Sequence, residues 1–338
     1  MHSGLTRDWF HCWLSHWTAS TWLAQAAILC GTVAVAWTRK LADFAYTSPA
    51  YTGQYHHPTS IEMARWVWQE KAPVPQLYRI LVPYVMGFAS NVTGLPFEVT
   101  YWLFFMMIVA TSGLVFFHYL KTWVSEESAL TGVFMLFTYS SFYFSEWEYG
   151  LAYLELTIFC VGILAIERHA HPLFFLLLVI GSLNRETAGG LVLLYLCRWI
   201  GVLPWSVLLG ICGSGTIVWL IIFFGVRTRV GNGPLVHADI IQLSHNTRWI
   251  LDSLVHLTPF HHYRFIPTIL AVPVLAVVLR WKATPVALRR MVWFAPVFIV
   301  IILVTARFGE ARLTAPLIPL LFPFFLRAVE TERLVETR

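Results

Sequence analysis

Ten apolar windows recur along the chain, and they constrain the fold more than any other feature of the sequence. They lie at about 20–38, 99–120, 128–145, 150–166, 172–183, 188–204, 206–226, 265–281, 291–306 and 313–327. Only 12% of the 338 residues are charged and 58% are hydrophobic, whereas about a quarter of the residues in soluble domains are charged. A soluble domain of this length has too little interior to bury so many apolar side chains, so the windows predict membrane spans.

We therefore predict an all-α fold, a polytopic transmembrane helical bundle of about 10–11 spans in which residues 1–338 form a single integral membrane domain. Two long polar connections interrupt the windows. The first outer loop covers about 41–97 and is expected to contain interfacial helices, and the second covers about 227–264. An eleventh window at 80–94 is shorter, and it is either a span, a re-entrant hairpin or an interfacial helix.

Lysine and arginine side chains concentrate in alternate loops, and this bias predicts the orientation of the bundle. The residues on the side expected to be cytoplasmic are Lys121, Arg168, Arg198, Arg280, Lys282, Arg289, Arg290, Arg327, Arg333 and Arg338. If the amino terminus is also cytoplasmic, window 80–94 does not cross the membrane. In the alternative topology that window is a span and the amino terminus lies outside.

A polar turn, Leu-Asn-Arg-Glu-Thr, separates two apolar windows on the outer side. It contains Asn184, Arg185 and Glu186. A guanidinium can bind a phosphate through two parallel hydrogen bonds, and the amide groups at the start of the next helix also favour an anion. The turn is therefore a candidate substrate-binding element. The alternative is a capped interhelical turn with an internal Arg/Glu pair.

Two carboxylates precede this turn. Glu155 is the deepest acid in an apolar window, and it stands seven residues after Glu148. Two helical turns would put both on one face. Glu155 is either part of the substrate site or a buried acid paired with a neighbouring arginine, because an ionisable group in the membrane needs a partner or a cavity.

Two further segments supply arginines on the outer side. In one turn Glu310 lies between Arg307 and Arg312, which favours ionisation of the acid and leaves one guanidinium for a ligand. Arg79 stands just before window 80–94, where it either anchors to lipid headgroups or binds substrate. We treat these four residues as candidate binding residues.

Several classes of protein are disfavoured by what the sequence lacks. It contains no Walker loop and no GxSxG motif, so ATP-driven pumping and serine hydrolysis are poor hypotheses. Basic residues are spread over many loops, so we expect no nucleic-acid partner. Seven histidines fall in the two long connections, but without HExxH or paired Cys/His spacing. We therefore expect no metal or other cofactor, with a divalent-metal site as the alternative.

The order of these features resembles the GT-C superfamily of membrane glycosyltransferases. The resemblance consists of a first span, an outer loop with an acid near its start (Asp43), an amphipathic stretch at 61–68, a Pro/Tyr/Arg entry to the next helix at 75–83 and many later spans. The turns at 183–187 and 309–319 are similar to those of uncharacterised bacterial polytopic proteins often grouped with these enzymes.

The resemblance implies transfer of a sugar from a polyprenyl-phosphate carrier to an envelope acceptor at the outer face of the membrane. The acidic base that it implies is matched best by Asp43 and next by Glu62. We accordingly expect a bacterial inner-membrane protein with a periplasm-facing site, and a polyprenyl-phosphate-linked sugar and membrane lipid as partners. The alternatives are a transporter or flippase of a lipid-linked or anionic solute, and a non-catalytic subunit bound to envelope-assembly proteins.

Overall fold

The computed structural model describes residues 19–47, 59–72, 76–143, 150–230, 247, 274–305 and 315–336. Within these ranges the chain is helical and contains no β-strand, which confirms the all-α prediction for the described part. The helices are α1 (Ala19–Thr47), α2 (Ser60–Trp68), α3 (Leu81–Thr93), α4 (Phe97–Leu120), α5 (Glu126–Tyr143), α6 (Leu151–Glu167), α7 (His171–Asn184), α8 (Gly190–Trp199), α9 (Trp205–Val230), α10 (Val286–Met291), α11 (Phe294–Thr305) and α12 (Ile318–Glu336). Short 3-10 turns are Gln76–Tyr78, Glu186–Gly189 and Trp281–Ala283.

Three stretches of the described helices are long and apolar enough to cross a membrane. They are α4, α9 and Val286–Val304, which combines α10 with most of α11. A shorter apolar helix is α7. These helices support the prediction of a membrane protein, and the total of about 10–11 spans stays a prediction.

The central helices alternate in direction. The Phe105 ring packs on the Tyr153 ring, with 6.1 Å between centroids, and further along both helices the hydroxyls of Ser112 and Thr157 lie 2.8 Å apart. Helices α4 and α6 are therefore parallel. Helix α7 runs antiparallel to α6, because Gly181 faces Ile158 and Asn184, at its end, reaches the beginning of α6.

Helices α8 and α9 continue this alternation. Leu191 packs on Gly162 of α6, where an added Cβ would lie 2.6 Å from a leucine methyl group. At the end of both helices Arg198 pairs with Glu167, so α8 is parallel to α6. Contacts of Gly189 with Trp219 and of Val192 with Gly215 make α9 antiparallel to α8.

This alternation sorts the polar turns between two ends of the bundle. We call one the basic end, which contains residues 121–125, 167–171 and 199–204, and the other the site end, which contains Tyr78, residues 184–189 and Arg227. Segments distant in the sequence meet at the basic end, where Arg327 donates to the Trp123 carbonyl over 2.7 Å. The positive-inside rule assigns these same basic loops to one side of the membrane.

Helix α1 extends further than the sequence predicted. The first outer loop was expected to begin near residue 41, but α1 continues to Thr47. The segment after Trp37 contains no helix breaker, and the helix ends two residues before Pro49, as the steric restriction ahead of a proline favours. Charged side chains at positions 39 and 40 therefore mark a polar part of a helix rather than its end.

Helix α3, which corresponds to window 80–94, has 13 residues and is about 20 Å long at 1.5 Å per residue, shorter than a hydrocarbon core of about 30 Å. Just before it, Arg79 reaches Glu186 at the site end. Just after it, Glu98 pairs with Arg65 of α2. Whether window 80–94 crosses the membrane stays a prediction.

Candidate functional site

The centre of the candidate site is an ion pair between α6 and the turn that follows α7. Arg185 leaves the end of α7 with extended backbone (φ −157°, ψ 146°), and its side chain turns back toward α6. Its Nη1 lies 2.6 Å from Oε2 of Glu155, and the two side chains are only 1% and 3% exposed. Thr187 donates its hydroxyl hydrogen to the other carboxylate oxygen. Both oxygens of Glu155 are thus hydrogen-bonded, which offsets part of the cost of burying the charge.

Asn184 ties the end of α7 to the beginning of α6. Its Nδ2 donates to the Leu151 carbonyl over 3.0 Å. Its Oδ1 is also buried, and it accepts no hydrogen bond from the residues that the structure describes. The turn is therefore anchored on α6 at two consecutive positions, Asn184 and Arg185.

A second acid lies in the same turn and is more accessible. The side chain of Glu186 is 35% exposed, and its Oε1 lies 3.9 Å from Nη2 of Arg79, whose side chain is only 5% exposed. Burial raises the pKa of the Glu186 carboxyl, but the charge of Arg79, a backbone hydrogen bond and the charges of Arg185 and Arg227 together outweigh this effect, so the pKa lies below its ordinary value. Glu186 is accordingly ionised at neutral pH.

Helix α9 holds this turn in place. The indole Nε1 of Trp219 donates to the Glu186 carbonyl over 2.9 Å. The Trp219 ring also packs against Gly189, where an added Cβ would lie 2.8 Å from the ring. A glycine is needed here because the ring is fixed by its hydrogen bond and occupies the space that a side chain would need.

A third arginine joins the site end from the last turn of α9. The guanidinium carbon of Arg227 lies 4.5 Å from the centre of the Tyr78 ring and 3.4 Å from that of Phe223. Its Nη1 donates to the Phe223 carbonyl over 3.2 Å. Aromatic faces attract a guanidinium and hold its plane, so Arg227 is positioned beside the 3-10 turn that precedes Arg79.

The structure brings together five of the residues predicted from the sequence, namely Arg79, Glu155, Asn184, Arg185 and Glu186. With Arg227 added, the cluster contains two acids and three arginines. Within the described residues, these five side chains come from four separate parts of the chain. Guanidinium groups at this density attract oxyanions, and phosphate is the oxyanion that arginine binds best in a forked geometry.

Glu62 has a different environment. Its carboxylate accepts hydrogen bonds from the backbone nitrogen of Thr59 over 2.8 Å and from the Thr59 hydroxyl over 3.1 Å. The Thr59 hydroxyl in turn accepts from the Glu62 amide, so the two residues form a capping box at the start of α2. The carboxylate proposed from the sequence as a second choice of base thus stabilises its own helix.

The other predicted site residues lie in α1 or outside the described part of the chain. Asp43 lies within α1, not in a loop, and its side chain is not among those described. Glu148, Arg307, Glu310 and Arg312 lie outside the described residues. Helix α6 begins at Leu151 after Gly150, which has φ 92°, and the expected alignment of Glu148 with Glu155 stays a prediction.

Four residues at the site were not predicted from the sequence, namely Tyr78, Thr187, Trp219 and Arg227. Arg227 carried only a partial signal, since it is one of two arginines, with Arg229, in the last turn of a largely apolar helix. Thr187 stands directly beside the predicted turn residues. Nothing in the sequence distinguishes Trp219 from the 15 other tryptophans of the chain, because its role depends on which helix packs against the turn.

Among the residues with described positions, no three His, Cys, Asp or Glu side chains lie close enough to hold a metal ion. Comparison of the chain with protein-family models, with curated proteins and with solved structures found no match.

Proposed function

We propose that the protein is a glycosyltransferase that moves a sugar from a polyprenyl-phosphate carrier to an envelope acceptor at the site end. The proposal includes a bacterial inner-membrane location with this end facing the periplasm. The observation that carries it is that the charges of Arg79, Arg185 and Arg227 all act on Glu186 at one end of the bundle.

The leaving group explains why arginines are needed. A sugar carried on a lipid phosphate departs with a developing negative charge on the phosphate oxygens, and cationic donors held in place lower the energy of that charge. Arg79 and Arg227 reach the turn from different segments, so a phosphate held between them would be contacted from two sides. Arg307 and Arg312 remain candidates for the same role.

The reaction also needs a base. The oxygen of the acceptor hydroxyl attacks the anomeric carbon, the bond from that carbon to the phosphate oxygen breaks, and the polyprenyl phosphate leaves with the bonding electrons. The hydroxyl proton passes to a carboxylate. We propose Asp43 for this role, since the carboxylate of Glu62 is held by the capping box.

Binding of the carrier tests the proposal directly. Purified protein in nanodiscs is titrated with polyprenyl phosphate and, separately, with the uncharged polyprenol. We expect the phosphate to bind at least tenfold more tightly, and Arg227→Gln to remove most of that difference. Arg229→Gln is the matched control, because Arg229 is exposed and lies two residues further along the same helix. Equal affinity for the two lipids would rule out the proposal.

The burial of the Glu155–Arg185 pair favours a second candidate, a carrier of the same lipid-linked sugar. Buried ionisable groups between membrane helices commonly mark substrate pathways, and neither group of this pair is accessible in the described arrangement. The two functions differ in their product. A transferase forms a new glycosidic bond from labelled donor, whereas a carrier moves labelled donor across sealed vesicles without any covalent product.

A further inference from the structure

A second cationic cluster, which does not belong to the proposed site, lies near the basic end, where Arg280 donates to the Ala328 carbonyl next to Arg327. Arg289 and Arg290 lie on α10, and Lys282 lies in the 3-10 turn before it. The sequence contains no acidic residue between Asp252 and Glu310, so this segment has no carboxylate of its own.

Other cations at the basic end have acceptors. Lys121 Nζ lies 2.6 Å from a Glu126 oxygen, Arg198 pairs with Glu167, and Arg327 donates to a backbone carbonyl. By contrast, Nε of Arg289 and Nη1 of Arg290 are buried and have no hydrogen-bond acceptor among the described residues. A buried donor without an acceptor is costly, so an oxyanion beside these two atoms would lower that cost.

The surroundings of these arginines are those of a membrane interface. The Trp281 and Trp293 rings meet edge to face with centroids 6.2 Å apart, and Trp293 is 62% exposed. Tryptophans are enriched at the level of the lipid headgroups. Next to them, Leu279 is 70% exposed and supplies an apolar surface of the kind that a lipid chain covers.

We infer that Arg289 and Arg290 bind the phosphate of an anionic phospholipid of the surrounding leaflet, with Lys282 contributing charge. Basic pockets between membrane helices on the cytoplasmic side bind such headgroups. The lipid is favoured over a soluble phosphate because the cationic atoms, the tryptophan pair and the exposed apolar residues lie within one segment, 279–293. This inference does not depend on the proposed transferase reaction.

The experiment measures lipid retention by the full-length protein in detergent. Phosphatidylglycerol and phosphatidylcholine are added at equal concentrations, and bound lipid is counted by native mass spectrometry. We expect the wild type to retain phosphatidylglycerol preferentially. A basic side chain near an anionic membrane contributes about fivefold in affinity, so Arg289→Gln with Arg290→Gln should weaken phosphatidylglycerol binding about 25-fold.

Arg168→Gln is the matched control, because Arg168 is an exposed arginine at the same end, and it should leave the preference unchanged. Equal retention of both lipids by the wild type would overturn the inference, as would equal losses in the control and the double variant. Displacement of the lipid by an equal concentration of glycerol phosphate would also overturn it in favour of a soluble phosphate. If the double glutamine variant does not fold, Arg289→Gln alone replaces it, with a loss of about fivefold expected and an unchanged affinity overturning the inference.

Discussion

Glu155 and Arg185 are 30 residues apart in the sequence, yet their side chains form a hydrogen-bonded ion pair of 2.6 Å that is almost completely buried. The pair connects α6 to the turn that contains Glu186. Thr187 and Asn184 add further bonds from the same turn to α6. Together these bonds fix the turn, and with it the position of Arg185, relative to α6.

The first prediction concerns this pair. Glu155→Gln or Arg185→Gln leaves one charge buried without its partner, and the loss of a single partner costs about 3–5 kcal/mol. The double change Glu155→Leu with Arg185→Met removes both charges, so we expect it to recover most of the stability. Thermal unfolding of the wild type, the two single variants and the double variant in detergent compares the four stabilities.

Polyprenyl-phosphate binding by the same four proteins separates a packing role from a role in the site. If the double variant is stable and binds the lipid like the wild type, the pair is structural only. We expect it to be stable and to bind at least tenfold more weakly, because the site end loses the positive charge of Arg185.

A second prediction concerns the contact between Gly189 and Trp219. Gly189→Ala places a methyl group 2.8 Å from an indole ring that is held by its bond to Glu186, and overpacking of this kind costs about 1–3 kcal/mol. Gly210→Ala is the control, since an added Cβ there meets nothing within 4 Å. Alanine is favoured over glycine within a helix, so Gly210→Ala should keep or raise the unfolding temperature. Equal effects of the two changes would contradict the close packing.

The helices of this fold were readable from the sequence because an apolar run long enough to cross a membrane has few other conformations. The turn at Asn184, Arg185 and Glu186 could be predicted too, since three polar residues in succession interrupt two apolar runs. The partner of Arg185 was not readable. A single sequence left open whether Glu155 met an arginine or a substrate, because helix packing fixes which faces meet.

The same limit explains the residues that were missed or misjudged. Arg227 joins the site only because α9 packs antiparallel beside the turn. Glu62 was selected for its charge in the first outer loop, while the threonine three residues before it already formed the pattern of a capping box. The prediction places Asp43 in a loop because the charged residues Arg39 and Lys40 directly follow the first apolar window.

A third prediction concerns the acid sensitivity of the basic end. Glu330 of α12 accepts a hydrogen bond from the Ser125 amide over 2.8 Å at the start of α5. Burial raises the pKa of the Glu330 carboxyl, but hydrogen bonds from Ser125 and Ser128 and the charge of Arg327 outweigh it, so the pKa lies below the ordinary value of 4.5. The ionised form is thus the one that the fold stabilises.

Because the pKa is lowered on folding, this contribution is fully present above about pH 4.5 and is lost as the pH falls through the lower folded value. We expect a capping contribution of about 1 kcal/mol. Unfolding temperatures measured from pH 7 to pH 3 should fall less steeply for Glu330→Gln than for the wild type. Glu127→Gln, in the first turn of α5, should follow the wild type, and identical curves for all three proteins would exclude the proposed cap.

The last prediction separates the two acids proposed as the base. Glutamine at the third helical position still completes a capping box, so Glu62→Gln should keep the unfolding temperature and, if Glu62 only caps α2, should change sugar transfer less than about twofold. Asp43→Asn should reduce transfer about 10²–10⁴-fold, the range associated with loss of general base catalysis, while polyprenyl-phosphate binding is retained.

Transfer is followed as label moving from the polyprenyl-phosphate sugar into product, with binding measured on the same preparations. Thr59→Ala removes the hydroxyl from the capping box but keeps both carboxylates in the chain, and it shows how far a destabilised α2 lowers transfer. If Glu62→Gln loses transfer at an unchanged unfolding temperature while Asp43→Asn remains active, then Glu62 is the base and its capping bond opens during the reaction.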